Sequence, residues 1–265
     1  IIESINQSLR NLKTNYLDVM QIHAFNDKNN FKEVINTLVD LKKKKIIKKM
    51  WENYGKILAE YVFIKNFRTS KKFSQNIIIE NLDELLKIKN ESKPVIFVSG
   101  HFNNFELMAM QIERSGIDLA AIYRPLNNKF LNPIMEHIRK KYICKKQIKK
   151  GISGTKALLK NFKNGTSIAL MIDQRVSQGI YSNFFNQKAF TTTIPAQFVK
   201  KFNAQVVPIY IERFEKNKFK IKISNRINFS ENETIETITL SLNKILEKMI
   251  IKNPDEWIWT HNRWK

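Results

Sequence analysis

The sequence predicts an α/β fold: a central mixed, mostly parallel β-sheet with helices packed on its faces. Two observations support this prediction. Short continuous apolar runs, typical of buried strands, alternate along the chain with longer segments whose apolar residues recur at helical spacing. Strands separated by helices favour a sheet covered by helices. In such sheets ligands bind beyond the carboxyl ends of the strands, so functional residues are expected directly after the apolar runs.

The helices come from segments with apolar residues on one face. The first carries Trp51, Tyr54, Leu58 and Tyr61 at helical spacing, and we expect this stripe to be buried. A later helix has a proline in its first turn, where proline is tolerated. The predicted helices are 50–67, 82–89, 104–114, 130–141, 153–162, 195–202 and 235–251.

The strands come from short runs rich in Val, Ile, Leu and Phe that are bounded by Gly, Pro or polar residues. The run PVIFVSG at 94–100 is the clearest, because it is apolar without interruption. The other predicted strands are 119–123, 167–172, 180–185, 206–211 and 219–223.

The composition is basic, with 46 Lys and Arg against 24 Asp and Glu and a net charge of +22. This charge favours an anionic partner such as anionic lipid, nucleic acid or an acidic protein. AT-rich codon usage is an equally weighted explanation, because Lys supplies 37 of the 46 cations. The single cysteine, Cys144, excludes an internal disulfide and a Cys-rich zinc site. We find no run of 18 apolar residues and no signal peptide, so we expect membrane contact to be interfacial.

The first candidate site follows the run at 94–100, where GHFNNFE places His101 at a strand end and Glu106 in the first turn of the next helix. A carboxylate there could accept a hydrogen bond from the imidazole and make His101 a stronger general base. Such a pair is common by chance, and the neighbouring Asn103 and Asn104 could be ordinary helix caps.

Two further strands are also followed by polar residues. Arg124 comes after the strand 119–123, and Arg139 ends the next helix; two arginines there could hold phosphate, or belong to a solvated basic face. Asp173, Gln174 and Arg175 follow the strand 167–172, where they indicate a site or a turn.

The segment 257–265 carries Trp257, Trp259 and Trp264. It could dock on the core or act as an amphipathic anchor, since Trp and basic residues favour the lipid interface. Docking is the favoured interpretation.

The ordered set GHFNNFEL, YRPLNN, MIDQR, TTTIPA and EWIWTHNRWK resembles the late acyltransferases of lipid A biosynthesis, the lauroyl/myristoyl transferase family, over residues 46–265. The resemblance implies a fold like that of glycerolipid acyltransferases. It implies catalytic roles for His101 and Glu106, and site roles for Arg139 and Asp173. Beside them, we assign substrate binding also to Arg124, Asn104 and Gln174.

The implied reaction moves a fatty acyl chain from the thioester of acyl carrier protein to a hydroxyl of a lipid A precursor, with no cofactor or metal. The implied place is the cytoplasmic face of the bacterial inner membrane, where the chain would bind the anionic surface peripherally. One alternative is another glycolipid or phospholipid acceptor. Another is a basic nucleic-acid-binding protein, although the chain shows no recognisable nucleic-acid motif and its charge is spread throughout.

The family usually begins with a hydrophobic anchor, and residues 1–45 do not read as one. Residues 3–45 instead resemble an internal piece of an aldo-keto reductase, with His23 where that family has its active-site histidine. The partner residues of that site and most of the barrel are missing, so we expect no reductase activity. We therefore predict a remnant or an ordinary helical extension over 1–45 and the acyltransferase domain over 46–265.

Overall fold

A computed structural model describes residues 46–215, 217–260 and 263–264. Nine strands occur in this part of the chain. They are β1 (Ile77–Glu80), β2 (Ile96–Ser99), β3 (Leu119–Tyr123), β4 (Lys146–Lys149), β5 (Ser167–Met171), β6 (Ile180–Phe184), β7 (Gln187–Thr191), β8 (Val206–Glu215) and β9 (Lys218–Ile223).

The helices lie before, between and after these strands. A 3₁₀ turn (Tyr61–Phe63) separates the first two, and a π-helical turn (Arg139–Ile143) continues the sixth. The α-helices are α1 (Ile46–Glu60), α2 (Ile64–Thr69), α3 (Lys71–Ser74), α4 (Leu82–Glu91), α5 (Glu106–Arg114), α6 (Leu131–Ile138), α7 (Ile152–Lys163), α8 (Ile194–Phe202) and α9 (Ile235–Lys252).

Seven strands form one sheet in the order β1-β9-β8-β2-β5-β3-β4, while β6 and β7 form a separate antiparallel pair. Within the large sheet β8 and β9 pair antiparallel, and the other neighbours pair in parallel. The predicted fold class, a mixed and mostly parallel sheet with helices on its faces, is confirmed.

The crossover connections assign helices to the two faces. Helix α5 carries the chain from β2 to β3, whereas α7 carries it from β4 to β5, in the opposite direction along the sheet. Because crossovers between parallel strands are right-handed, these two helices cover opposite faces. Helix α8 lies with α7, since Phe198 contacts Phe162 at a centroid distance of 5.2 Å.

The position of a strand in the sheet explains the apolar pattern of its sequence. All four residues of β2 are buried, as expected for a strand covered on both faces. Strand β9 alternates instead, with Phe219, Ile221 and Ile223 buried and the residues between them more exposed. The apolar run and the alternating run thus correspond to a central strand and a strand nearer the edge.

Three short strands were missing from the prediction: β1, β4 and β7. Strands β1 and β4 lie at the two edges of the sheet, and β4 reads KQIK. Lysines are common on edge strands because they discourage pairing with other chains. The same lysines remove the apolar pattern by which a strand is recognised.

The predicted buried stripe on the first helix is only partly buried: Tyr54 and Tyr61 are half-buried, but the other two residues are exposed. Trp51 is 40% exposed and Leu58 is 56% exposed. The buried positions are Met50, Ile57 and, beyond the 3₁₀ turn, Ile64. Both series repeat every seven residues, so helical spacing alone does not distinguish them; the aliphatic series faces the core.

The predicted start of the acyltransferase domain, Ile46, is also the first residue that the structure describes. The predicted reductase-like segment 1–45, with His23, lies outside the described residues, and this domain boundary stays a prediction. Within the described ranges, no helix combines the length and apolar character needed to cross a bilayer.

Candidate active site

The ends of β2 and β5 bring His101 and Asp173 together. These strands are parallel neighbours in which Ser99 pairs with Met171, so residues two positions further on lie side by side. The imidazole Nδ1 of His101 lies 2.8 Å from Oδ1 of Asp173. The backbone N–H of His101 donates to Oδ2 of the same carboxylate at 2.8 Å. Asp173 therefore holds both the ring and the main chain of His101.

Burial and charge at this pair favour a charged carboxylate beside a basic imidazole. The Asp173 side chain is 2% exposed, whereas that of His101 is 20% exposed. Burial by itself lowers the pKa of His101, but the charge of Asp173 and its hydrogen bond outweigh this and raise the pKa above its ordinary value. Burial raises the pKa of Asp173, and His101 more than reverses the effect, so its pKa falls. The ring keeps one accessible side from which it could exchange a proton.

A close approach of the main chain is needed to build this pair. Gly100 precedes His101, and a Cβ added to it would lie 2.9 Å from Leu246 and 3.3 Å from the Cβ of Asp173. The glycine in the GHFNNFE motif therefore leaves room for the Asp173 side chain to reach His101.

Glu106 has different partners from those predicted. Its Oε1 accepts hydrogen bonds from Nε of Arg139 at 2.8 Å and from Nη2 at 2.6 Å. The hydroxyl of Tyr61 donates to the same oxygen, and Nη2 of Arg139 also lies 3.1 Å from that hydroxyl. The predicted hydrogen bond between Glu106 and the imidazole is wrong, because Asp173 occupies that place. Glu106 acts on His101 through its charge.

The Glu106 cluster is a nearly buried ion pair extended by a tyrosine hydroxyl. The side chains of Arg139 and Glu106 are 15% and 8% exposed. Burial lowers the pKa of Arg139, but Glu106 outweighs it and the net shift is upward. Burial and the Glu106 charge raise the pKa of Tyr61, so its proton stays in place. Arg139 was predicted to bind substrate, but in the structure its guanidinium forms an ion pair with Glu106.

The other predicted site residues lie at the same edge of the sheet with different surroundings. Asn104 is fully buried, and its Nδ2 donates to Oε2 of Glu60 at 3.0 Å. Gln174 is half-buried beside Asp173, and Arg124 is exposed after β3. Substrate contacts by these residues stay a prediction.

Two residues of the site were not singled out for it from the sequence. Tyr61 was expected only as part of a buried stripe, and Trp257 only as part of a docking segment. The indole Nε1 of Trp257 donates to Oδ2 of Asp173 at 2.8 Å, and Trp257 is 2% exposed. The docking interpretation of this segment is thus confirmed. The partnership with Asp173 spans 84 residues and has no local sequence signal.

Among the residues that the structure describes, no group of three or more His, Cys, Asp and Glu could hold a metal ion. The chemistry that the described residues offer is proton transfer by His101 backed by Asp173. A base of this kind, with a positioning carboxylate and an exposed edge, suits the activation of a hydroxyl group.

Comparison with known proteins agrees with the motif order. The family model for bacterial lipid A biosynthesis acyltransferases matches residues 8–265. The chain is 22% identical over 200 residues to lipid A biosynthesis acyltransferase 2 of Shigella flexneri, covering 72% of this chain and 62% of the relative. It is 21% identical over 191 residues to the lipid A biosynthesis palmitoleoyltransferase of Escherichia coli (strain K12), covering 71% and 61%.

The chain therefore spans less than two thirds of the length of these curated relatives. Among solved structures, a 1-acyl-sn-glycerophosphate acyltransferase, PlsC from Thermotoga maritima, matches with a TM-score of 0.44 and 14% identity, covering 86% of this chain and 98% of that one. Because the family model matches nearly the whole sequence, the chain belongs to the bacterial lipid A biosynthesis acyltransferase family.

Proposed function

We propose that this chain transfers a fatty acyl group from the thioester of acyl carrier protein to a hydroxyl of a lipid A precursor. One observation carries the proposal: His101 is held at Nδ1 by the buried Asp173 carboxylate, while 20% of its side chain stays accessible. A histidine in this state can take a proton at Nε2 from a bound hydroxyl.

The steps follow from that geometry. As Nε2 of His101 accepts the proton, the hydroxyl oxygen attacks the thioester carbonyl and a tetrahedral oxyanion forms. The intermediate then collapses, the carbon–sulfur bond breaks, and the imidazolium returns its proton to the leaving thiolate. Asp173 stabilises the imidazolium throughout, because its carboxylate stays charged.

Glu106 and Arg139 have a supporting role in this proposal. Their ion pair, with Tyr61, ties the start of α5 to the π-helical turn after α6 and to the 3₁₀ turn after α1. It therefore fixes three segments around His101. The negative charge of Glu106 also favours the imidazolium, more weakly than Asp173 does.

The charge of the chain supports the choice of donor and acceptor. An acidic carrier protein and a phosphorylated glycolipid are both attracted by a net charge of +22. Arg124 and Arg139 are our candidates for the acceptor phosphate, with Arg139 held in position by Glu106. Asn104 and Gln174 complete the proposed binding surface.

We also propose that the chain meets an anionic membrane surface through exposed apolar residues beside the site. Helix α1 exposes Trp51 and Leu58 on one stripe, and the start of α6 exposes Phe130 and Ile134, which are 88% and 56% exposed. The bond between Tyr61 and Arg139 joins the two segments that carry them. Exposed lysines flank both sets, as interfacial binding to anionic lipid requires: Lys48, Lys56, Lys129 and Lys140.

The test is a product assay with the purified protein. The protein receives an acyl carrier protein thioester or a coenzyme A thioester as donor and, in parallel reactions, a lipid A precursor or lysophosphatidic acid as acceptor. Products are identified by mass. We expect acylation of the lipid A precursor that depends on His101. Acylation of lysophosphatidic acid alone would contradict the proposed acceptor. Transfer only from the coenzyme A thioester would contradict the proposed donor.

A further inference from the structure

We infer that Trp257 is a positioning residue for the proposed reaction: its indole N–H fixes the Asp173 carboxylate and, through it, the imidazole of His101. The inference rests on the proposed function. It assigns to a segment 84 residues beyond Asp173 a direct part in setting the properties of the base.

Three hydrogen-bond donors bind the two carboxylate oxygens of Asp173. Nδ1 of His101 binds Oδ1 at 2.8 Å. The backbone N–H of His101 and Nε1 of Trp257 both donate to Oδ2, each at 2.8 Å. A carboxylate with donors on both oxygens cannot rotate about its own axis without losing one of them. The indole N–H therefore helps to keep Oδ1 directed at the imidazole.

The main chain around Trp257 is joined to the loop that carries His101. Trp257 forms an antiparallel bridge with Phe102. On one side the N–H of Asn103 donates to the carbonyl of Glu256 at 3.0 Å, and on the other the N–H of Ile258 donates to the carbonyl of His101 at 3.0 Å. Backbone hydrogen bonds on both sides of Phe102 therefore place the indole next to the His101 loop.

A tryptophan in the same segment shows the more common partner of an indole N–H, a backbone carbonyl. Trp259, two residues later, donates its own indole N–H to the carbonyl of Pro254 and makes the usual side-chain-to-backbone contact. Trp257 instead lies buried against Phe184 and Trp259, with its N–H on a charged carboxylate. Hydrogen bonds to charged groups are stronger than those to neutral ones, so the difference between the two tryptophans has an energetic consequence.

A second group of the same segment acts on Asp173 by charge. Arg263 is fully buried, and its guanidinium donates to the carbonyl of Phe190 at 2.6 Å and to Oγ1 of Thr191 at 2.9 Å. Burial lowers the pKa of Arg263 to about 10, and the Asp173 charge opposes this. Among the described residues, Glu106, Arg139 and Arg263 also act by charge on the His101–Asp173 pair.

Removal of the indole N–H should change the pKa of His101 in a predictable direction. Asp173 would lose one of the donors that spread its negative charge, so it would hold the imidazolium more strongly and the pKa of His101 would rise. Its carboxylate would also be freer to turn, so fewer molecules would have the ring in the productive orientation. Turnover should fall while the apparent pKa of the base increases.

The experiment compares Trp257→Phe with Trp259→Phe, its matched control. For Trp257→Phe we expect kcat to fall about 10- to 100-fold, with KM for the thioester changed by less than about threefold, as an orienting hydrogen bond to the base predicts. The acidic limb of kcat/KM should move up by about 0.5 to 1 pH unit. Trp259→Phe should keep the wild-type midpoint. Equal midpoints and equal kcat for folded Trp257→Phe and wild type would overturn the inference.

A second variant protects the test against a folding defect. Benzothienylalanine at position 257 keeps the shape of the indole and lacks its N–H, and it should reproduce the rate loss and the shift. The pKa of His101, followed by NMR of its ring protons, provides a readout that needs no substrate. If the wild type does not acylate the lipid A precursor, the proposed function fails, and an unchanged His101 pKa in both variants would separately overturn the role of Trp257.

Discussion

Asp173 and Glu106 are two buried carboxylates whose charges both act on His101, yet they are held by different partners. Asp173 binds an imidazole, an indole N–H and a backbone N–H, whereas Glu106 binds a guanidinium and a phenol. An imidazole can gain or lose a proton near neutral pH, while a guanidinium keeps its proton. The Asp173 cluster can therefore store a proton during a reaction, and the Glu106 cluster can only hold geometry and charge.

The comparison teaches that proximity in the sequence is a poor guide to partnership in an α/β site. Glu106 is five residues from His101 and was predicted to bind it; Asp173 is 72 residues away and does so. A parallel sheet places the ends of neighbouring strands side by side, whatever the length of chain between them. The carboxylate that follows a neighbouring strand is thus the first candidate for a histidine at a strand end.

The largest expected effect is on His101. His101→Ala should lower kcat/KM for acyl transfer by on the order of 10⁴, because the general base is removed. His137→Ala, which removes an exposed histidine of α6, is the control and should be neutral. Steady-state rates and circular dichroism measure activity and folding. Near-normal turnover by a folded His101→Ala protein would show that another residue is the general base.

Asp173→Asn should come next and should change the pH profile as well as the rate. Because the pKa of His101 is raised by Asp173, kcat/KM of the wild type should rise with pH through a midpoint above 6.5. In Asp173→Asn the imidazolium loses its carboxylate, so the midpoint should fall, and kcat should drop by about 10²–10³. A midpoint unchanged between the two proteins would contradict the pairing seen in the structure.

Glu106→Gln should distinguish the role of the Glu106 cluster from that of the Asp173 cluster. It leaves the buried charge of Arg139 without its carboxylate, so we expect a loss of stability on the order of 3 kcal/mol and a Tm lower by about 6–12 °C. The pH midpoint should fall less than in Asp173→Asn, since Glu106 acts on His101 by charge alone. Calorimetry and pH–rate profiles provide both quantities. A larger pH shift than that of Asp173→Asn would reverse the assignment of the two carboxylates.

A smaller effect is expected at the surface. Phe130→Ser with Ile134→Ser should reduce binding to anionic vesicles by about tenfold, since both remove exposed apolar contact. Phe214→Ser, at an exposed apolar position on β8, is the control and should bind like the wild type. Cosedimentation at low and high salt measures the partition. Equal binding to neutral and anionic vesicles would show that lysines do not contribute.

The smallest expected change concerns the predicted domain boundary. A protein that starts at Ile46, where α1 begins, should keep its transferase activity and its Tm within the error of the full chain. Limited proteolysis of the full chain should cut early between residues 26 and 49. A shortened protein that unfolds would place residues 1–45 in the core.

Sequence reasoning was most successful where the apolar pattern is strong. Strand β3 and helices α4, α7 and α9 were predicted within about two residues, because a largely buried strand or an amphipathic helix has such a pattern. It missed the edge strands β1 and β4, which are only four residues long, and it placed the exposed Trp51 and Leu58 in the buried stripe of α1. His101, Glu106, Arg139 and Asp173 were all singled out, and the structure brings them to one edge of the sheet.

The arrangement of those four residues could not be predicted in the same way. Pairing of His101 with Asp173 depends on strand order, which no single segment encodes. The hydroxyl of Tyr61 lies on the 3₁₀ turn after α1 and reaches a carboxylate 45 residues further along the chain. Local patterns therefore predicted which residues matter, and long-range packing decided what each one binds.

The bridge between Trp257 and Phe102 also has a consequence for biosynthesis. Synthesis proceeds from the N-terminus, so β2, β5 and the His101–Asp173 pair emerge from the ribosome well before residue 257. Until then Oδ2 of Asp173 lacks its indole donor and the backbone groups of the His101 loop lack their partners. The Asp173 carboxylate therefore gains its third hydrogen-bond donor only after residue 257 has been synthesised.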